Sequence, residues 1–218
     1  MAVSLPNGVI IALATAYGQP TNVTSISNAN PGVASSPAHG LANGTLFELK
    51  SGWQRVNERI LRVADAASGA FDLDGIDTTS TVQYPPGTGG GILREITAFT
   101  QITQILETST SGGEMQFATY SFLENDFESQ IPTQASAQSL ALTIADDPTL
   151  PGYQALKAAA ELREIRALRV TFPNGSLILY NGYVSFNETP SMTKGEVMGV
   201  QATFSLLSRP VRYLPPAP

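Results

Sequence analysis

The chain has no cysteine and a single histidine, His39. The first absence excludes disulfides, thiolate metal sites and cysteine nucleophiles together, and it fits folding in a reducing cytoplasm. The second excludes a His-based metal site, and a serine triad would also need a nucleophile elbow that the sequence lacks. His39 stands in "PAHGLANG", a turn, where it is expected to hold its own loop by hydrogen bonds. Charge is scarce too: charged residues make up 14% of the chain and the net charge is -6. Nucleic-acid binding needs clustered Lys and Arg to displace phosphate counterions, whereas this balance repels DNA. The apolar run Val9 to Ala16 is too short to span a membrane and reads as a strand. "GTGGG" at Gly87 to Gly91 lacks the Lys-Ser/Thr of a phosphate loop. "DLDGID" at Asp72 to Asp77 lacks the closing Glu of a calcium loop, since Gln83 stands at its twelfth position. No catalytic residue, cofactor or metal ligand is assigned, and an enzyme is not expected.

What is present is β-forming sequence rich in turns: 42% hydrophobic residues, 19 Gly and 15 Pro. Residues 21–94 carry short apolar pieces about every ten residues: "VTSIS", "TLFELK", "RILRVAD", "AFDLDG" and "GGILREI". "AHGLANG", "DAASG" and "YPPGTGGG" separate them. Later strands are longer and alternate with period two. Leu140, Leu142 and Ile144 share one face. So do Leu168, Val170 and Phe172, then Ile178, Tyr180, Val184 and Phe186, and then Met198 to Leu206 at every second position. Each strand is expected to have one buried and one wet face, the wet ones rich in Gln, Thr and Ser. "DPTLPGYQALKAAAELRE" predicts the one helix, with its prolines at the start, an apolar face of Tyr153, Leu156 and Ala160, and a Lys157–Glu161 pair. In "TFPNGSLILYNGYV", Asn174-Gly175 predicts a two-residue type I′ hairpin turn entered through Pro173. The fold class is mainly β (α+β): a β-sandwich or half-barrel with one flanking helix, plus a small β-barrel-like module.

The order "RVTFPNG", an aromatic strand with "NGYV", "VSF" and "VQATFSLLSRP" resembles the major tail tube protein of long, non-contractile phage tails, of the lambda type. "ATYSFLENDFESQIPTQASAQSLALTIADDP" and "YQALKAAAELREIRALRV" extend the likeness upstream. Residues 21–94 depart from it and look like a small β module found in phage virion proteins, with "NANPG", "AHGL" and "FDLDGID". The resemblance implies a discontinuous tail tube domain of residues 1–20 and 95–218, with 21–94 inserted and placed on the outer surface. It implies hexameric rings stacked into a tube that conducts DNA during ejection without sequence-specific binding. It further implies a tape-measure protein in the lumen and contacts with tail terminator and distal tail or baseplate proteins. Localisation would be the virion tail, assembled in the host cytoplasm, with no membrane.

On that reading the candidate lumen-lining residues are Gln101, Thr103, Gln201, Thr203 and Ser205, with Glu107 and Glu114 as lumen or ring-edge charges. Otherwise they are ordinary solvent-facing strand residues. Candidate ring–ring contacts are Glu124, Asp126 and Glu128, with Arg209 or Arg212 as the basic counterpart. Pro173, Asn174 and Gly175 form a structural turn, and "YLPPAP" an extended tail. Two competing classes remain. One is a surface-displayed carbohydrate- or receptor-binding β domain using Trp53, Tyr84 and Tyr153, although Trp53 also suits a core anchor. The other is a related ring protein, a tail terminator or secretion-system tube component.

Overall fold

The computed structural model describes residues 7–215. In chain order the strands are β1 (Ile10–Tyr17), β2 (Thr21–Val23), β3 (Ser25–Ile26), β4 (Val33–Ser35), β5 (Leu46–Ser51), β6 (Arg59–Ala64) and β7 (Ala70–Leu73). There follow β8 (Gly91–Ile102), β9 (Ile105–Ser111), β10 (Met115–Tyr120), β11 (Ser129–Ala135) and β12 (Ser139–Ala145). Helix α1 (Pro151–Leu162) precedes β13 (Ile165–Thr171), β14 (Leu177–Ser191), β15 (Gly199–Leu206) and β16 (Val211–Tyr213). The expected β class with one helix holds. The apolar pieces of 21–94 became strands, and the short β4, with no hydrophobic alternation to announce it, was missed.

One antiparallel path runs β3-β4-β7-β6-β5-β8-β1-β13-β14-β15-β12-β9. Two long strands make it turn corners. The first residues of β8 pair with β5, from Gly91 to Glu95, and its remainder pairs with β1. Likewise β14 pairs with β13 over Leu177–Tyr183 and with β15 from Gly182 onward. The sheet is thereby divided into a module (β3 to β7 with the start of β8), a first wall (β8, β1, β13, start of β14) and a second wall (end of β14, β15, β12, β9).

Directly paired antiparallel residues point to the same face, so the register sorts the core. Ile102, Ile11, Val170 and Ile178 align across the first wall, and Val184, Phe204 and Leu140 across the second. They meet in one cluster with Tyr153, Leu156 and Ala159 of α1, so the sheet curls around this core. The opposite face of the first wall is also buried: Ala167, Leu179, Val211 and Tyr213 pack with Phe47, Leu49, Leu61 and Phe71 of the module. Strands covered on both faces read as near-continuous apolar runs, which is why β1 is "IIALATAY" rather than an alternating pattern. The expectation of one wet face per strand therefore fails for β13 and the start of β14. It holds in the second wall.

Several local expectations gain detail. Gly152 sits in the first turn of α1, where a side chain would meet the Gln101 carbonyl at 2.6 Å. Glycine lets the helix lie on β8 at that distance. Lys157 pairs with Glu161 at 3.9 Å and more closely with Glu188 of β14 at 2.8 Å, which raises the lysine's pKa and ties helix to sheet. His39 holds its loop as expected. Nε2 donates to the Ala67 carbonyl at 2.7 Å, and the Leu41 amide donates to Nδ1 at 3.0 Å.

The 172–176 turn is a correction. Only Gly175 has positive φ, +82°, and its amide donates to the Phe172 carbonyl. This is a three-residue loop, a type I turn followed by a left-handed glycine, and not type I′. Pro173 favours the i+1 position of type I, and the Asn174 carboxamide oxygen accepts from the Ser176 amide and hydroxyl. The "YLPPAP" reading also changes: Tyr213 is buried in β16, while Ala217 and its neighbours 216 and 218 lie outside the described residues.

Candidate functional site

The second wall presents one continuous polar face. Asn187, Gln201, Thr143 and Glu107 lie in one cross-strand row. Ser185, Thr203, Ala141 and Ser109 form the next, and Tyr183, Ser205, Ser139 and Ser111 the third. Within the third row the Ser111 and Ser139 hydroxyls are 2.8 Å apart. No Lys or Arg stands in any of the three rows. Four of the sequence-derived candidates, Glu107, Gln201, Thr203 and Ser205, thus come together on one surface.

The other three do not join them. Gln101 shares the sheet face, through Ala12, Arg169 and Leu179, but stands on the first wall, whose face turns elsewhere. Thr103 lies past the end of β8, before Gln104, which has positive φ. Glu114 sits between β9 and β10, its amide bonded to Ser136 Oγ. Sequence periodicity could not separate Gln101 from Gln201, because both alternate with buried residues. Ser185 and Asn187 were missed; they share the parity of Tyr183 on β14, which was the available signal.

The acidic candidates Glu124, Asp126 and Glu128 occupy the exposed tip of a hairpin formed by β10 and β11. Among the described residues these two strands pair only with each other. They leave the second wall through Gly112 and Gly113, both at positive φ, and a side chain at Gly112 would collide with the Ala137 carbonyl. Met115, Phe117, Tyr120, Phe122, Leu123, Phe127 and Ile131 are all solvent-exposed on this arm. An isolated two-stranded ribbon is marginal in water, and an exposed apolar set of this size marks a contact surface. At ~3.4 Å per residue, the six residues of β10 alone carry the tip about 20 Å from the wall.

Arg209 lies near the base of this arm, in a groove with Gly113, Met115 and Ser136. Arg212 is elsewhere, its guanidinium 5.4 Å from the Phe172 ring. The aromatics that a glycan-binding surface would use are not available: Trp53, Tyr84 and Tyr153 are 1%, 7% and 5% exposed. The Trp53 indole N–H donates to the Pro85 carbonyl at 2.8 Å, and its ring packs edge-on against Tyr84. Trp53 is the core anchor of the module. Two of the three "DLDGID" acids are likewise occupied. Asp74 binds Arg62 at 2.5 Å, and the Asp77 carboxylate accepts from Thr79, which holds its pKa down.

Among the described residues, then, the conspicuous features are a cation-free polar wall and a protruding arm, both suited to assembly. None of the curated proteins matches the chain. A family model described as phage tail tube protein, TTP, matches residues 51–215, most of the chain and the second half of the 21–94 segment. The chain belongs to the phage tail tube proteins, a structural component of the virion tail that assembles with its own copies into a tube and associates with other tail proteins, and it is not an enzyme.

Proposed function

We propose that the chain forms hexameric rings which stack into the tube of a long, non-contractile tail, with the polar face of the second wall lining the lumen through which DNA is ejected. The observation that carries this reading is the absence of Lys and Arg from the rows around Gln201, Thr203 and Ser205. A conduit must not hold its cargo. Amides, hydroxyls and Glu107 offer phosphate no cationic partner, and counterion release gives no binding energy where no cation stands. Six copies would contribute roughly 24 strands. At ~4.8 Å apart these enclose a circle about 37 Å across between backbones before strand tilt widens it, enough for a duplex. The free edge of β9 supports the same reading, since closing a barrel across subunits removes an edge that would otherwise pair at random.

In this arrangement residues 21–94 are the module on the outer wall. It covers Leu179 and Asn181 of the first wall, and an outer position keeps it from obstructing the passage of DNA. The hairpin arm makes the ring–ring contacts and becomes fixed on assembly. The tape-measure protein fills the lumen before DNA, terminator and distal tail proteins close the ends, and assembly takes place in the host cytoplasm.

The test combines microscopy with ejection. Purified protein is expected to give hollow rods in negative stain. Gln201→Lys with Thr203→Lys should still assemble, but particles carrying both changes should release DNA more slowly and with stronger dependence on salt. Ejection kinetics equal to the parent's would refute the lumen assignment.

A further inference from the structure

Arg55, Arg59 and Arg209 line one cleft of about 580 Å³ at the seam between the module and the loop after β15. In a chain with only 12 Lys and Arg, this is a quarter of the cations in one place. Among the described residues none of the three is in an ion pair, unlike Arg62, Arg94 and Arg166. Glu58 also lines the cleft, which leaves it net positive. The Nε of Arg59 is buried without a hydrogen-bond partner, and its Nη1 reaches only the Arg55 carbonyl at 3.3 Å. Burial lowers the pKa of Arg59, and the charge of Arg209 acts in the same direction. The exposed apolar part of the cleft comes from Leu207.

We infer that this cleft is a socket for the hairpin tip of a second copy of the chain, taking Glu124, Asp126 and Glu128 against its arginines and Phe127 against Leu207. The inference rests on the tube-assembly reading above and names where the ring–ring contact is made. Charge complementarity is direct: three exposed acids on one short loop meet three unpaired guanidiniums. Arginine suits the role because its planar fork binds a carboxylate through two donors. Geometry agrees. Arg209 also lies at the base of the arm, whose tip is about 20 Å or more away, so socket and tip of one chain are far apart. A contact between two different patches displaced along one direction is head-to-tail, and it propagates as a stack.

The 218-residue chain has no cysteine, so two single-cysteine preparations of it report the contact cleanly. Asn125→Cys at the tip and Gln54→Cys at the cleft, mixed and oxidised, should give a 54–125 disulfide in excess over either self-link. Arg55→Glu with Arg209→Glu should lower both that link and tube yield by at least about tenfold, since like charges would then face each other. Adding Glu124→Lys, Asp126→Lys and Glu128→Lys to the same chain should restore both, which also shows that the reversed cleft still folds. The proposal is overturned if the cleft reversal leaves link and tubes at parental levels, or if charge reversal of the tip fails to rescue. Normal tubes with altered DNA release would also overturn it, and would assign the cleft to nucleic acid. If the link forms but no preparation makes tubes, the tube reading falls while the socket stands.

Discussion

Glu48 to alanine is the sharpest test of how the module is joined to the tube walls. Glu48 is 1% exposed, and its carboxylate accepts from Arg94 Nε at 2.9 Å, from Arg94 Nη2, and from Asn181 Nδ2 at 3.1 Å. The three residues belong to β5, β8 and β14, so one carboxylate ties the module to the strand that turns the sheet's second corner. Removing one partner of a buried pair costs ~3–5 kcal/mol because the other charge is left uncompensated. Arg94 keeps 32% exposure and lies 4.7 Å from the Tyr17 ring, so water and the ring offset part of the loss. Asn181 loses little, since its amide still donates to the Glu58 carbonyl at 2.9 Å. The expected cost is therefore near the lower end, about 3 kcal/mol. For a chain of this length that lowers Tm by roughly 6–12 °C. Calorimetry should show a single transition moving as a whole, because the module and the first wall share one core. Glu48→Gln, which keeps an acceptor for Asn181, should lose less. A Tm within ~2 °C of the parent, or a module transition separating from the rest, would refute the reasoning.

Two further predictions rest on individual groups. Burial pushes the Tyr213 phenol from 10.0 up to about 12, outweighing the Arg62 amide that donates to its oxygen at 2.9 Å. The fold favours the neutral form, so this contribution of about 2.7 kcal/mol is fully present below pH 10 and is lost as pH rises through 12. Urea midpoints measured across that window should fall, and Tyr213→Phe should flatten the fall; an unchanged slope would refute it. Gly152→Ala should reverse the usual sign of a helical Gly→Ala change. Propensity alone would stabilise by ~1 kcal/mol, but the new Cβ would lie 2.6 Å from the Gln101 carbonyl oxygen and 2.8 Å from Ile102 Cα. Neither is a flexible side-chain end, so a net loss of about 1–3 kcal/mol is expected, and a higher Tm would show that α1 can shift off β8.

Much of the fold was legible where period two met a wet face. The second wall is the clear case: Leu140, Leu142 and Ile144 alternate with Ser139, Ala141 and Thr143, and the structure buries the first set. Legibility failed where both faces are buried. On β14 the expected apolar face is Ile178, Tyr180, Val184 and Phe186, yet Leu179 between them enters the module's core and Asn181 bridges to Glu48. Nothing local to "LILYNGYV" tells that a module 120 residues earlier in the chain covers it. The turn at Asn174 failed for a different reason. Asn-Gly satisfies both turn types, and the preceding proline tips the choice toward type I through its fixed φ.

The candidate surfaces were only half legible, and the cause lies in what assembly asks of a subunit. A residue that serves a contact between copies carries no signature within one chain. Gln201 and Gln101 look alike in sequence because both alternate with buried neighbours; only the corner at β14 turns one of them toward the polar wall and leaves the other on the module's side. The arm is the opposite case. Its apolar residues, Phe117, Phe122, Phe127 and Ile131, would suit a core by composition, but they fall on a ribbon that none of the described residues outside it covers. On the proposed reading a second copy covers part of them, and its tip brings carboxylates to three arginines that form no ion pair among the described residues. In the proposed head-to-tail contact one tip answers both deficits, Phe127 losing its exposure and the cations at the seam gaining carboxylates.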